Sequence, residues 1–246
     1  MEWREQDGVR WLHASLPRAL AAFSTRLGGR SAGPFESLNL GLRTGDERTA
    51  VLTNRARLAA AIDRDPDGML LGRQVHEAEV LVRERAPESN PYVGGQPAPA
   101  ADGQATANPR LTPLVQVADC LPVALAGERG VAMLHCGWRG LAAGIVARGV
   151  EAVGATAAAI GPGIGRCCYE VDEPVLSRFA DLGEGIATGR MLDLEAVATR
   201  LLERAGLVEI EAAGLCTSCE PELFFSHRRD HGRTGRQGGF VWIADA

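Results

Sequence analysis

Apolar positions along the chain recur at two spacings. VLTNRARLAAAI sets Val51, Leu52, Leu58 and Ile62 at helical intervals, predicting a helix capped by Asp46 or Thr49 and running to about Ile62. LAAGIVARGVEAVG after Gly140 and the stretch Leu192–Ala205 predict two more, and Pro174–Phe179 starts a further one. Shorter apolar runs predict strands at Val75–Val82, LTPLVQV, LPVALAG, GVAMLHC, Ala158–Ile160, Leu207–Ile210 and a terminal Val241–Ile243. Trp11 and Leu12 fit a sheet edge, with His13 after them as a surface or hydrogen-bonding residue. Arg85–Ala107, rich in Pro, Gly, Ala and Asn, predicts a long connection along the rim of a site, with Asp102-Gly103 turning the chain back to the core. At 246 residues the chain builds a sizeable core, and the expectation is one globular domain over 1–246.

Composition narrows the class. Aromatics are only 5%, so Leu, Val, Ile and Ala must fill the core. The net charge of −5, with arginines clustered only at Arg228, Arg229, Arg233 and Arg236, argues against a nucleic-acid footprint and suits one small anion. No apolar run reads as an export signal or reaches bilayer length, so the expected setting is cytoplasmic, without a membrane partner. In that setting the six cysteines read as reduced thiols or metal ligands.

The polar residues that interrupt the strands carry the chemistry. Two apolar runs within Leu114–Gly140 end at Asp119-Cys120 and His135-Cys136. Cys120 with His76 and His135 supplies three zinc-type donors and leaves a fourth position for water. The alternative is Cys120 as nucleophile, His76 or His135 as base and Asp119 as the group that orients the imidazole. Trp138 and Arg139 fall where a strand–loop–helix turn offers a helix N-terminus to an anion. Gly161, Gly163 and Gly165 make a compact turn or present N–H groups to phosphate. Arg26 beside the earlier glycines reads as a solvated loop residue. The adjacent Cys167 and Cys168 need not both face one ligand, and structural burial of one stands beside a catalytic role; Cys216 and Cys219 fit a metal, a reversible disulfide or packed thiols. A thiol redox or interaction protein is the third functional class.

The ordered set FSTRLGGRS, SLNLGLRTGD, NRARL, RQVH, ADG, VADCLPV, AMLHCGWRG, AIGPGIGRCCYEV and FFSHRRDHGRTGR resembles the bacterial YfiH-like laccase-domain family across nearly the whole chain. Members are also described as multicopper polyphenol oxidases or purine nucleoside phosphorylases. The resemblance implies an α+β fold with mixed sheets in four α/β/β/α layers. It implies zinc held by His76, Cys120 and His135, with Arg139 beside phosphate or ribose and Ser37, Asn39, Arg228 and Arg229 bordering the substrate. It further implies phosphate-dependent cleavage of adenosine, inosine or guanosine to base and ribose 1-phosphate, with inorganic phosphate as co-substrate. Methylthioadenosine phosphorolysis and adenosine deamination are related activities, although the H-x-E…P-C-x-x-C deaminase signature is missing. Metal-independent Cys–His hydrolysis, including editing of peptidoglycan precursors, and copper polyphenol oxidation are the alternatives. Five histidines are few for a multicopper electron-transfer centre. The size is compatible with a monomer.

Overall fold

The computed structural model describes residues 1–96 and 98–244. Two six-stranded mixed sheets form its centre. The first contains β1 (Glu2–Gln6), β2 (Val9–Leu16), β3 (Ala19–Ser24), β4 (Met69–Leu71), β7 (Thr112–Val117) and β14 (Gln237–Ile243), in the order β1-β2-β3-β14-β7-β4. The second contains β5 (Val80–Val82), β6 (Gly103–Thr106), β8 (Leu121–Gly127), β9 (Gly130–Cys136), β10 (Ala155–Ile160) and β13 (Glu209–Ala212), in the order β13-β10-β8-β9-β6-β5. A small ribbon pairs β11 (Ala187–Thr188) with β12 (Met191–Leu192).

Alternation along the strands divides the core into three layers. Ala21, Phe23, Val115, Val117 and Val241 of the first sheet meet Ala124, Ala126, Val131, Met133 and Ala159 of the second. On its other face the first sheet presents Ala22, Leu114, Phe240 and Trp242 to Leu58, Ala59 and Ile62, at the end of helix α1 (Arg48–Ala61). The second sheet presents Val123, Leu125, Ala132 and Leu134 to α3 (Ile145–Val153) and α5 (Leu194–Arg204). The result is the α/β/β/α layering that the sequence implied.

Several boundaries differ from the sequence reading. The run after Gly140 is two helices, α2 (Trp138–Ala142) and α3, because Gly144 adopts φ +88° between them. Val75–Val82 is a strand only at its end; residues 75–79 form a loop drawn in by a buried carboxylate. Arg85–Ala107 is not loop throughout, since β6 occupies Gly103–Thr106 and Asp102 is buried rather than part of a surface turn. Pro97 of that stretch lies outside the described residues. The Pro174–Phe179 start resolves into α4 (Glu173–Leu176) and a 3-10 turn over Ser177–Leu182. β14 begins at Gln237 and sits between β3 and β7. His13 is buried at 3% exposure within β2 rather than at the surface.

Candidate active site

Strand pairing assembles the site. β8 and β9 run antiparallel with Leu121 opposite Cys136 and Pro122 opposite His135, so the start of one and the end of the other coincide. Cys120, one residue before β8, therefore meets His135. β6 flanks β9 on its other side, where the His135 N–H donates to the Asp102 carbonyl at 2.7 Å. The β5–β6 pairing brings the preceding loop, with His76, to the same end.

The ligating atoms of His76, Cys120 and His135 all lie within 4.8 Å of one another. The two imidazoles meet edge to face, with centroids 4.8 Å apart. Asp102 orients both histidines. One of its oxygens sits 2.7 Å from His135 Nδ1, which leaves Nε2 as the free ring nitrogen. The carboxylate also accepts the N–H groups of Val75, His76 and Glu77 at 2.9–3.0 Å. These bonds hold His76 at φ +65°, an unusual conformation for a residue with a side chain.

The titration of the cluster follows. Burial alone would raise the Asp102 carboxyl, but the bonds from His135, Glu77 and Val75 bring it to about 2. Burial would likewise raise the Cys120 thiol, yet the charge and hydrogen bonding of His135 hold it well below its ordinary value. His135 is shifted up, because the Cys120 thiolate and Asp102 outweigh its desolvation. Cys136 is buried, and burial raises its thiol, so it is a packing residue.

The donor set fits a metal. It has two imidazoles and one thiolate, with a carboxylate fixing one tautomer. Gly137 keeps the space clear, since a Cβ there would sit 2.8 Å from Cys120 Sγ and 3.4 Å from His76 Cδ2. Three protein ligands are the pattern of a catalytic rather than a closed structural site.

The three donors open onto a cleft of about 730 Å³. Arg43, Arg73, Arg139, Arg228 and Arg236 line it, together with Trp138, Tyr169, His227, Gln74 and Gln116. Arg139 lies over the Trp138 ring at 4.5 Å and Arg228 over Tyr169 at 5.1 Å. Burial pushes the Tyr169 phenol up to about 12, so it remains a neutral hydroxyl at neutral pH. His227, read from the sequence as a residue that lines a site, and Arg236 of the C-terminal arginine cluster are both in the lining, whereas Arg73 and Tyr169 were not singled out. Of those two, Tyr169 carried a local signal, as the aromatic of CCYEV.

Other expected site residues have different tasks. Ser37 and Asn39 do not line the cleft. Ser37 Oγ donates to the Arg26 carbonyl and accepts the Gly29 N–H. Asn39 is fully buried; its amide donates to Thr44 and Asp46, and its oxygen accepts the Gly41 and Arg236 N–H groups. Asn54 and Arg55 of α1 clamp the same loop, Asn54 donating to Ser31, Ser37 and Asn39, and Arg55 to the Leu40 carbonyl. Arg229 is taken up by Asp230 and by the Thr217 and Phe224 carbonyls. Arg26 is no solvated loop residue, because it donates to the Glu36 and Pro221 carbonyls and stacks on Phe225.

Two further expectations are corrected. Asp119, at φ +90°, orients no imidazole; it accepts the Thr217 hydroxyl at 2.7 Å and the Arg228 N–H at 2.7 Å. Asp102 has that role instead. Gly161, Gly163 and Gly165 offer nothing to phosphate, because their N–H groups donate to Pro122 O, Leu215 O and Cys216 Sγ.

The chain is similar to known proteins over nearly its whole length. A family model described as multi-copper polyphenol oxidoreductase laccase matches residues 20–244. A relative from Geobacillus stearothermophilus, named purine nucleoside phosphorylase YlmD, is 35% identical, with 96% of each chain covered. One from Deinococcus radiodurans, named purine nucleoside phosphorylase, is 42% identical over 90% of this chain and 88% of its own. The crystal structure of the Bacillus licheniformis hypothetical protein YfiH superposes with a TM-score of 0.88 at 33% identity, covering 98% of this chain and 99% of that one. The chain belongs to this YfiH/YlmD family of laccase-domain proteins.

Proposed function

We propose that the protein is a zinc-dependent purine nucleoside phosphorylase acting on adenosine, inosine or guanosine. One observation carries the reading: the His76, Cys120 and His135 donors open into a cleft lined by arginines and by two aromatic rings. The names of the Geobacillus and Deinococcus relatives support it.

The chemistry assigned to the residues is simple. Arg139 and Arg73, both in the cleft lining, bind inorganic phosphate and hold it for attack at C1′ of the ribose. Trp138 and Tyr169 offer flat surfaces to the sugar and the purine. As the phosphate oxygen bonds to C1′, the C1′–N bond breaks, the base leaves with the bonding pair and takes up a proton, and ribose 1-phosphate remains. His76, Cys120 and His135 would hold zinc, which supplies Lewis acidity toward an oxygen beside it. Adenosine deamination and methylthioadenosine cleavage would use the same cleft. The donor chemistry favours zinc over a multicopper centre, which needs more imidazoles than the two assembled here.

The second reading is a metal-independent hydrolase, in which the Asp102–His135 pair would serve Cys120, whose Sγ lies within 4.8 Å of the imidazole nitrogen. Product analysis separates the two. Adenosine and inosine are incubated with the full chain, with and without phosphate. The proposal expects free base and ribose 1-phosphate only when phosphate is present. Free ribose in both cases, or a substrate adduct trapped on Cys120, would replace phosphorolysis with hydrolysis.

A further inference from the structure

We propose that Cys167, Cys168, Cys216 and Cys219 form a second, closed zinc site that staples two loops behind the active-site wall. It is independent of the phosphorylase reading. From the sequence, Cys216-Thr-Ser-Cys219 lacks a matching pair; the fold supplies one from about fifty residues upstream. The four Sγ atoms lie within 4.8 Å of one another. Neither Cys167 nor Cys168 is buried away, as Cys167 is exposed and Cys168 half-buried.

The spacing favours an ion over a disulfide. Cys219 Sγ is 3.4 Å from both Cys167 Sγ and Cys168 Sγ. A disulfide would select one partner at about 2.05 Å, and all six cysteines are free. A zinc tetrathiolate with about 2.3 Å bonds has edges of roughly 3.8 Å, close to the separations seen. The backbone is arranged for thiolate as well. Gly165 donates its N–H to Cys216 Sγ at 3.2 Å, and a Cβ at Gly165 would press on Cys216 and Cys167 within 3.2–3.5 Å. Four soft thiolates with no position left for water suit a structural divalent ion of the zinc type. Each thiol gives up its proton to solvent as the ion binds.

The site has a task in the fold. Thr217, between the two cysteines of the turn, is fully buried. Its N–H donates to Gly163 O, its hydroxyl to Asp119 and its carbonyl accepts Arg229. Asp119 in turn precedes the ligand Cys120 and holds the Arg228 backbone. An ion joining 167–168 to 216–219 would fix Thr217, and through it the strained Asp119 that sets Cys120.

Metal analysis of the purified full chain tests this. Two zinc equivalents are expected, falling to one in Cys168→Ser/Cys219→Ser and to one in His135→Ala. Cobalt bound to His135→Ala should show the intense thiolate-to-metal absorption of a tetrathiolate. Differential alkylation of the unaltered protein gives a check free of misfolding: the four cysteines should be protected until a chelator is added. A single equivalent that disappears entirely in His135→Ala, or a disulfide between any two of the four cysteines in non-reducing mass spectrometry, would overturn the assignment. Nucleoside turnover can fail while the count of two stands, so this test and that of the proposed function are separable.

Discussion

Asp102 accepts four hydrogen bonds through its two oxygens, three from consecutive backbone N–H groups and one from His135. It joins the loop that carries His76 to the strand that carries His135. Asp102→Asn keeps the shape but turns one acceptor into a donor facing N–H groups. Outer partners of this kind typically change metal affinity or activity by about 10–100-fold. A loss of that size is expected in kcat/KM and in zinc affinity by chelator competition, without loss of the fold by circular dichroism. At the residue scale, Arg139→Met should raise the KM for phosphate about tenfold or more, the usual weight of a hydrogen bond to a charged group. Its melting temperature should change little, because the Arg139 side chain lies over the Trp138 ring and makes no hydrogen bond or ion pair among the described residues.

His13 tests electrostatics away from the site. Burial lowers its imidazole below the ordinary 6.5, and Arg4 adds to the shift. The unfolded chain therefore takes the proton first as pH falls. Stability from the neutral ring is complete above about 6.5 and is lost as pH drops from there to the folded value. In denaturant titrations between pH 7 and 5, His13→Gln should show a shallower decline than the unaltered chain. An identical decline would mean that another group sets the acid limit.

At the scale of elements, what was legible followed from periodicity. The stripe of Val51, Leu58 and Ile62 located α1, and the apolar runs located β7, β8, β9 and β10. Strands fixed by pairing alone were harder to see. β1 (Glu2–Gln6) is exposed along its length and is held by its ladder to β2, so its residues show no alternation. β6, GQAT, is too short and too weakly apolar to stand out, though all four residues are buried. For the same reason Asp102, just before it, read as a turn. Cys120, His76 and His135 were found by residue type and resemblance. Asp102 required knowing that β6 lies beside β9.

Helix α3 offers a test of packing. A Cβ on Gly149 would lie 2.7 Å from Leu134 and 2.9 Å from Leu125, so the helix rests close on β8 and β9. Gly149→Val should cost about 1–3 kcal/mol of unfolding free energy through overpacking. The zinc stoichiometry should not change, because α3 contributes no ligand. A variant as stable as the parent would show that the helix–sheet layer has slack.

On the scale of the whole molecule, a net charge of −5 conceals a cleft lined by arginines from widely separated parts of the chain. Arg43, Arg73, Arg139 and Arg236 share no local run. The sequence displayed Arg139 beside Trp138 and the C-terminal cluster, from which Arg229 turned inward to brace Thr217 and Phe224. The fold's two sheets bring these cations into one cleft with His76, Cys120 and His135, and that convergence is the basis of the functional reading. No helix among the described residues is long and apolar enough to cross a membrane.

The most direct measurement is a zinc titration of the metal-stripped full chain, following ribose 1-phosphate from inosine and phosphate. Turnover should be absent without metal and return as the His76, Cys120 and His135 site fills, while His135→Ala stays inactive at every zinc concentration. Undiminished turnover by the stripped protein would contradict the assignment, as would copper-dependent oxygen consumption with no nucleoside cleaved.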